Sequence, residues 1–144
     1  MLQTTNYLEL TFWAKSQNES FARSAVGAFF SQLNPTLEEL DDLKTAVSEA
    51  VTNCIVHAYN SQQKGEIVVC CQLHPNAITV QIVDFGKGIE NVEQAIQPFY
   101  STCTTGERSG MGFTVMQAFC DDVKVESGDG QTKVTLHKTI SLEN

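Results

Sequence analysis

The sequence has no apolar run approaching the roughly 20 residues a membrane-spanning helix requires. Its opening, Met1-Leu2-Gln3-Thr4-Thr5-Asn6, carries neither a basic n-region nor an apolar h-region. Both absences argue for a cytoplasmic protein away from the membrane. Basic residues are scarce: 9 Lys and Arg stand against 17 Asp and Glu, a net charge of −8. They are scattered singly, which argues against direct nucleic-acid binding, since phosphate backbones need clustered cations. No C-x-x-C pair occurs, and the cysteine count of 5 is odd. That disfavours both a structural zinc site and a secreted disulfide scaffold and fits reduced thiols. Cys54, Cys70 and Cys120 are expected in the core, and Cys103 in a polar stretch.

What is present suits one ordinary core. The 144 residues are 42 % hydrophobic and 18 % charged, which fits a single domain over 1–144. Leu8, Leu10 and Phe12 alternate as a short strand. Ser16 to Glu19 fits a capping box, followed by Phe21, Ala22, Ala25, Val26, Phe29, Phe30 and Leu33 at helical spacing up to Pro35. Thr36 to Glu39 is a second capping box. It opens the longest helix, whose stripe is Leu37, Leu40, Leu43, Val47, Val51, Ile55 and Ala58. Ile67–Leu73 and Ile78–Val83 read as strands joined across His74-Pro75-Asn76-Ala77. A short helix over Asn91–Gln97, a polar loop over 99–109 and a helix from Gly110 to about Cys120 follow. A hairpin turns at Gly128-Asp129-Gly130. The order predicts an α+β two-layer sandwich, a mixed and mostly antiparallel sheet with helices on one face.

Three constellations could carry chemistry. Glu49 and Asn53 lie four apart on the long helix, hence on one side. A carboxylate can accept a proton, and an amide oxygen suits Mg²⁺. Taken alone, the pair is also what an ordinary helix surface displays. Asp84 ends a strand before Gly86 and Gly88, where it can accept from an amine or simply make an Asx–Gly turn. Asp84-Phe85-Gly86 spells the magnesium triplet of protein kinases, but no V-A-I-K or H-R-D accompanies it. Gly110-Met111-Gly112 precedes a helix, where free N–H groups can cradle phosphate, with Arg108 two residues upstream. It matches neither a Walker A loop nor a full Rossmann fingerprint, and a close-packed turn is an equal reading. His57 lacks a partner at metal-ligand spacing and reads as a solvated or core histidine.

The order of these pieces is more telling than any one of them. Ser48 to Asn53 resembles the N box, Asp84 to Ile89 the G1 box and Arg108 to Phe113 the G2 box of the GHKL (Bergerat) ATPases. Asn18 to Arg23, Asn34 to Thr36 and Glu107 to Met116 narrow the resemblance to the anti-sigma F factors of spore-forming bacteria, over about residues 8–138. The resemblance implies an ATP-dependent protein-serine kinase. It would bind a sporulation sigma factor of the sigma-F type and phosphorylate an anti-anti-sigma factor as a homodimer. It implies Glu49 as general base, Asn53 on Mg²⁺, and Asp84 on the adenine amine between Gly86 and Gly88. Arg108 would reach the γ-phosphate, with Ser109, Gly110, Met111 and Gly112 around the phosphates. Thr132 would line the adenine end, and Arg23 would lie on the partner face. Phe85, Cys103, Thr104-Thr105-Gly106 and Ala58 depart from the usual family residues. Two other functions share this pattern: an ATP-gated anti-sigma binder without useful kinase activity, and a stress-response switch kinase with another sigma factor.

Overall fold

The computed structural model describes residues 3–59, 65–86 and 111–141. Among the described residues five strands form one sheet: β1 (Asn6–Trp13), β2 (Glu66–His74), β3 (Ala77–Asp84), β4 (Asp122–Gly128) and β5 (Gln131–Thr139). Their spatial order is β1-β2-β3-β5-β4. Where a mixed sheet was allowed, every pairing among the described residues is antiparallel. For β2–β3 and β4–β5 the cause is local, since these pairs are hairpins with short turns. The β4–β5 turn places Asp129 and Gly130 at φ of 55° and 73°, the left-handed pair that matches strand twist.

Helices α1 (Ser16–Phe30), α2 (Leu37–Asn53) and α3 (Met111–Phe119) cover one sheet face. The covered face is Ile67, Val69, Cys71 and Leu73 on β2, Ile78, Val80 and Ile82 on β3, and Val134 and Leu136 on β5. α2 packs against both α1 and α3 and buries Leu43, Ala46, Val47, Ala50 and Val51. Burying that stripe, at roughly 25 cal/mol per Å², is the main reason the helix is stable.

The second capping box forms as read. Thr36 N donates to Glu39 Oε1 at 2.7 Å, and Glu39 N donates to Thr36 Oγ1 at 3.1 Å. Glu39 Oε2 also accepts from Ser141 N and Oγ at 2.7 and 2.8 Å, tying the chain after β5 to the start of α2. The first box does not form. Lys15 is the N-cap without a side-chain cap, and Asn18 Nδ2 instead donates to Trp13 O at 2.9 Å.

Other expectations are corrected. Phe21 (58 % exposed) and Leu37 (80 % exposed) sit on their helices but outside the core. Cys71, not Cys70, is the core thiol of β2, because strand alternation turns Cys70 to the opposite face beside Tyr7. Cys54 and Cys120 are buried. The short helix over 91–97, the loop over 99–109 and Cys103 lie outside the described residues. Among the described residues no helix is long and apolar enough to cross a membrane.

Candidate functional site

α2 does not run straight to Ala58. After Asn53 it widens into a π-helical turn, Cys54–Ala58, a feature often found where a helix serves a site. That turn grips the segment leaving β3 at three points. Cys54 Sγ donates to Asp84 Oδ2 at 3.4 Å. The carbonyl of Ala58 lies against Gly86 so closely that a Cβ there would stand 2.2 Å from the oxygen. Tyr59 Oη accepts from Phe85 N at 2.7 Å and donates to Glu66 O at 2.5 Å. Burial raises the Tyr59 phenol above its ordinary range, so it stays a donor at neutral pH. Neither Cys54 nor Tyr59 was singled out from the sequence, where Cys54 reads as core filler and Tyr59 has no distinguishing spacing.

Asp84 is 5 % exposed at the end of β3. Its Oδ1 accepts from Gly86 N at 3.2 Å, so the Asx–Gly turn exists and also fixes the carboxylate. Directly across the ladder stands Thr132, likewise 5 % exposed, with its hydroxyl 3.2 Å from Ser127 Oγ. The glycine at 86 is required by the α2 backbone, whatever ligand approaches from the other side.

Glu49 and Asn53 both sit half-buried on α2. Burial, and next the negative charge of Glu19 on α1, raises the Glu49 carboxyl above the usual range. Glu19 Oε2 lies 3.8 Å from Arg23 Nε. Arg23 is thus joined electrostatically, through Glu19, to the carboxylate on the neighbouring helix. His57 lies half-buried in the π turn.

The structure thus brings Asp84 and Gly86 against the π turn that follows Asn53, with Thr132 opposite Asp84 on the ladder and Glu49 one helical turn before Asn53. Met111 opens α3, followed by Gly112. Gly88, Arg108, Ser109 and Gly110 lie outside the described residues. Among the described residues no group of three or more His, Cys, Asp and Glu side chains could enclose a metal ion. A single amide such as Asn53 fits the way Mg²⁺ is held, by few protein oxygens plus phosphates and water.

Among the described residues, a five-stranded antiparallel sheet with three helices on one face is the architecture of a histidine kinase-like ATPase domain. The family model of that description, "Histidine kinase-like ATPase domain", matches residues 12–138. The chain is 53 % identical over 143 residues to the anti-sigma F factor of Thermoanaerobacter sp. (strain X514), covering 99 % of each chain. It is 54 % identical over 140 residues to the anti-sigma F factor of Caldanaerobacter subterraneus subsp. tengcongensis, covering 96 % and 97 %. Among solved structures, the RsbU and RsbW domains of Rv1364c from Mycobacterium tuberculosis match with a TM-score of 0.71 at 20 % identity. That match covers 96 % of this chain and 34 % of the other, and supports the fold alone. The chain belongs to the anti-sigma F factor family, within the histidine kinase-like ATPases.

Proposed function

We propose that this protein is an ATP-dependent serine kinase and anti-sigma factor of the sporulation type. It binds a sigma-F-type sigma factor and phosphorylates a serine of its anti-anti-sigma antagonist, with the choice of partner set by ATP against ADP. The observation that carries the kinase reading is Glu49, a half-buried carboxylate with a raised pKa, one turn before Asn53 on the helix that grips Asp84. A carboxylate whose hold on a proton is raised, beside a nucleotide site, suits proton removal from a hydroxyl. Glu49 takes the serine proton as the serine oxygen bonds to the γ-phosphorus and the bond to ADP breaks. Asp84 and Thr132 receive the adenine, and Arg108, Ser109, Gly110, Met111 and Gly112 hold the phosphates. Asn53 would hold Mg²⁺, which neutralises phosphate charge when bound.

The partner reading is supported by α1. Arg23 there is 40 % exposed in its side chain, and Phe21, two residues away, is 58 % exposed. The two point to different sides of the helix, and each is of a type enriched at protein interfaces. The names of the relatives add the sigma factor as one partner, and a homodimer in the cytoplasm completes the proposal.

The test is incubation with labelled ATP, Mg²⁺ and the candidate anti-anti-sigma protein, followed by phosphosite mapping. The expected result is one phosphoserine that disappears in Glu49→Gln. ATP-dependent sigma binding without phosphoserine would select the binding-module alternative.

A further inference from the structure

Asp84 has two carboxylate oxygens, and each has its own protein donor. Oδ1 is held by its own turn, through Gly86 N at 3.2 Å, and Oδ2 by a different element, through Cys54 Sγ at 3.4 Å. The two donors act differently. Rotation about the last aspartate torsion is broad, so a single hydrogen bond to Oδ1 leaves the carboxylate plane free to swing. A second donor from α2 fixes that plane. An ionised carboxylate accepts about four hydrogen bonds, so these two donors do not by themselves exhaust it. Cys54 is 4 % exposed and packed among core residues, so its thiol has a fixed position. It is also the residue after Asn53, in the π turn that ends α2.

We propose that Cys54 is a positioning residue for nucleotide recognition: its thiol sets the orientation of the Asp84 carboxylate toward the 6-amino group of adenine. This rests on the ATP reading above. One helix turn then places both ends of the ligand site, with Asn53 on the phosphate side and Cys54 acting through Asp84 on the base side. A buried alanine at 54 would leave the packing nearly intact but Oδ2 without this donor. A serine would keep a donor, and a valine would keep the volume without one.

The experiment is calorimetric titration of the full chain and of Cys54→Ala, Cys54→Val and Cys54→Ser. The ligands are ATP and the purine riboside triphosphate that lacks the 6-amino group. The wild type should prefer ATP by about 10-fold or more. Cys54→Ala and Cys54→Val should bind ATP about 3- to 10-fold more weakly, the scale of one hydrogen bond, and the desamino analogue unchanged. Cys54→Ser should recover most of the loss. Wild-type ATP affinity in both donor-less variants would overturn the proposal. So would an equal loss for both ligands, which is the signature of packing. A wild type that binds neither ligand, or binds both alike, brings down the adenine assignment itself. The Ala and Val variants bracket packing from either side, so loss of folding in one leaves the other to decide.

Discussion

Two carboxylates of this chain have been given opposite environments. Asp84 is nearly enclosed but receives donors on both oxygens, whereas Glu49 is half-buried with another carboxylate, Glu19, close enough to oppose its ionisation. A carboxylate held this way costs stability. Its folded-state pKa lies above its unfolded value, so the contribution to stability is full at low pH and is lost as pH rises through that window. At neutral pH the ionised form therefore opposes folding. Glu49→Gln should lower phosphotransfer by about 10²- to 10⁴-fold with ATP affinity nearly unchanged. It should also raise the unfolding temperature slightly, the gain limited to about a few tenths of a kcal/mol because much of the carboxylate sees water. Single-turnover phosphotransfer and thermal unfolding at pH 5 and pH 8 check both, with the stabilisation expected only at the higher pH. Asp84→Asn should weaken ATP by roughly 10- to 150-fold, the loss of a hydrogen bond to a charged acceptor, without changing secondary structure. Equal ATP affinity by calorimetry would remove Asp84 from the adenine site.

At the scale of elements, the sequence announces what depends on local spacing and conceals what depends on neighbours. The Thr36–Glu39 box is a four-residue signal and forms as read, but the similar Ser16–Glu19 run does not. The helix there starts one residue earlier, and Asn18 is drawn to the carbonyl of Trp13. Nothing in the local pattern separates the two cases. Strand alternation was visible, yet which of Cys70 and Cys71 faces inward depends on which sheet face the helices cover. Phe21 and Leu37 fit helical spacing and lie outside the core because no element packs over them among the described residues. For the site, the order of Glu49–Asn53 and Asp84–Gly86 was legible, because each pair is set by local spacing, one helical turn and one Asx–Gly turn. The π turn was not, since nothing in the spacing Val51, Ile55, Ala58 marks a widened turn, which changes where Cys54, Ala58 and Tyr59 point. That turn makes a definite claim about Gly86. An added Cβ would stand 2.2 Å from the Ala58 oxygen, a backbone atom that cannot swing aside. Gly86→Ala should therefore displace the turn, costing about 1–3 kcal/mol in urea unfolding and weakening ATP at the same time. Full stability with reduced ATP affinity would show that ligand approach, not the helix end, requires glycine here.

Across the whole molecule, the surface proposed for protein partners and the proposed base are joined by one residue. Arg23 and Glu19 stand on α1, with Nε and Oε2 at 3.8 Å, and Glu19 bears on Glu49 of α2. Glu19 Oε2 is buried and, among the described residues, has no hydrogen-bond partner, so the Arg23 guanidinium is the cation that offsets its charge. A partner that draws Arg23 away from Glu19 would leave that charge bearing more strongly on Glu49. The consequence can be tested without a partner structure. Phosphotransfer at saturating ATP should fall on the acid side as Glu49 takes up its proton. Glu19→Gln should move that acid limb to lower pH, because the opposing charge is gone. Arg23→Ala should move it to higher pH, because the offsetting cation is gone, and should weaken both protein partners at least about 10-fold. ATP affinity should be spared in both variants at pH 8, since neither residue lies at the π turn or on β3. The measurement is the pH–rate profile of each variant beside the wild type, with partner titrations run in parallel. Superimposable profiles would show that the two helices act independently, and Arg23 would then serve the partners alone.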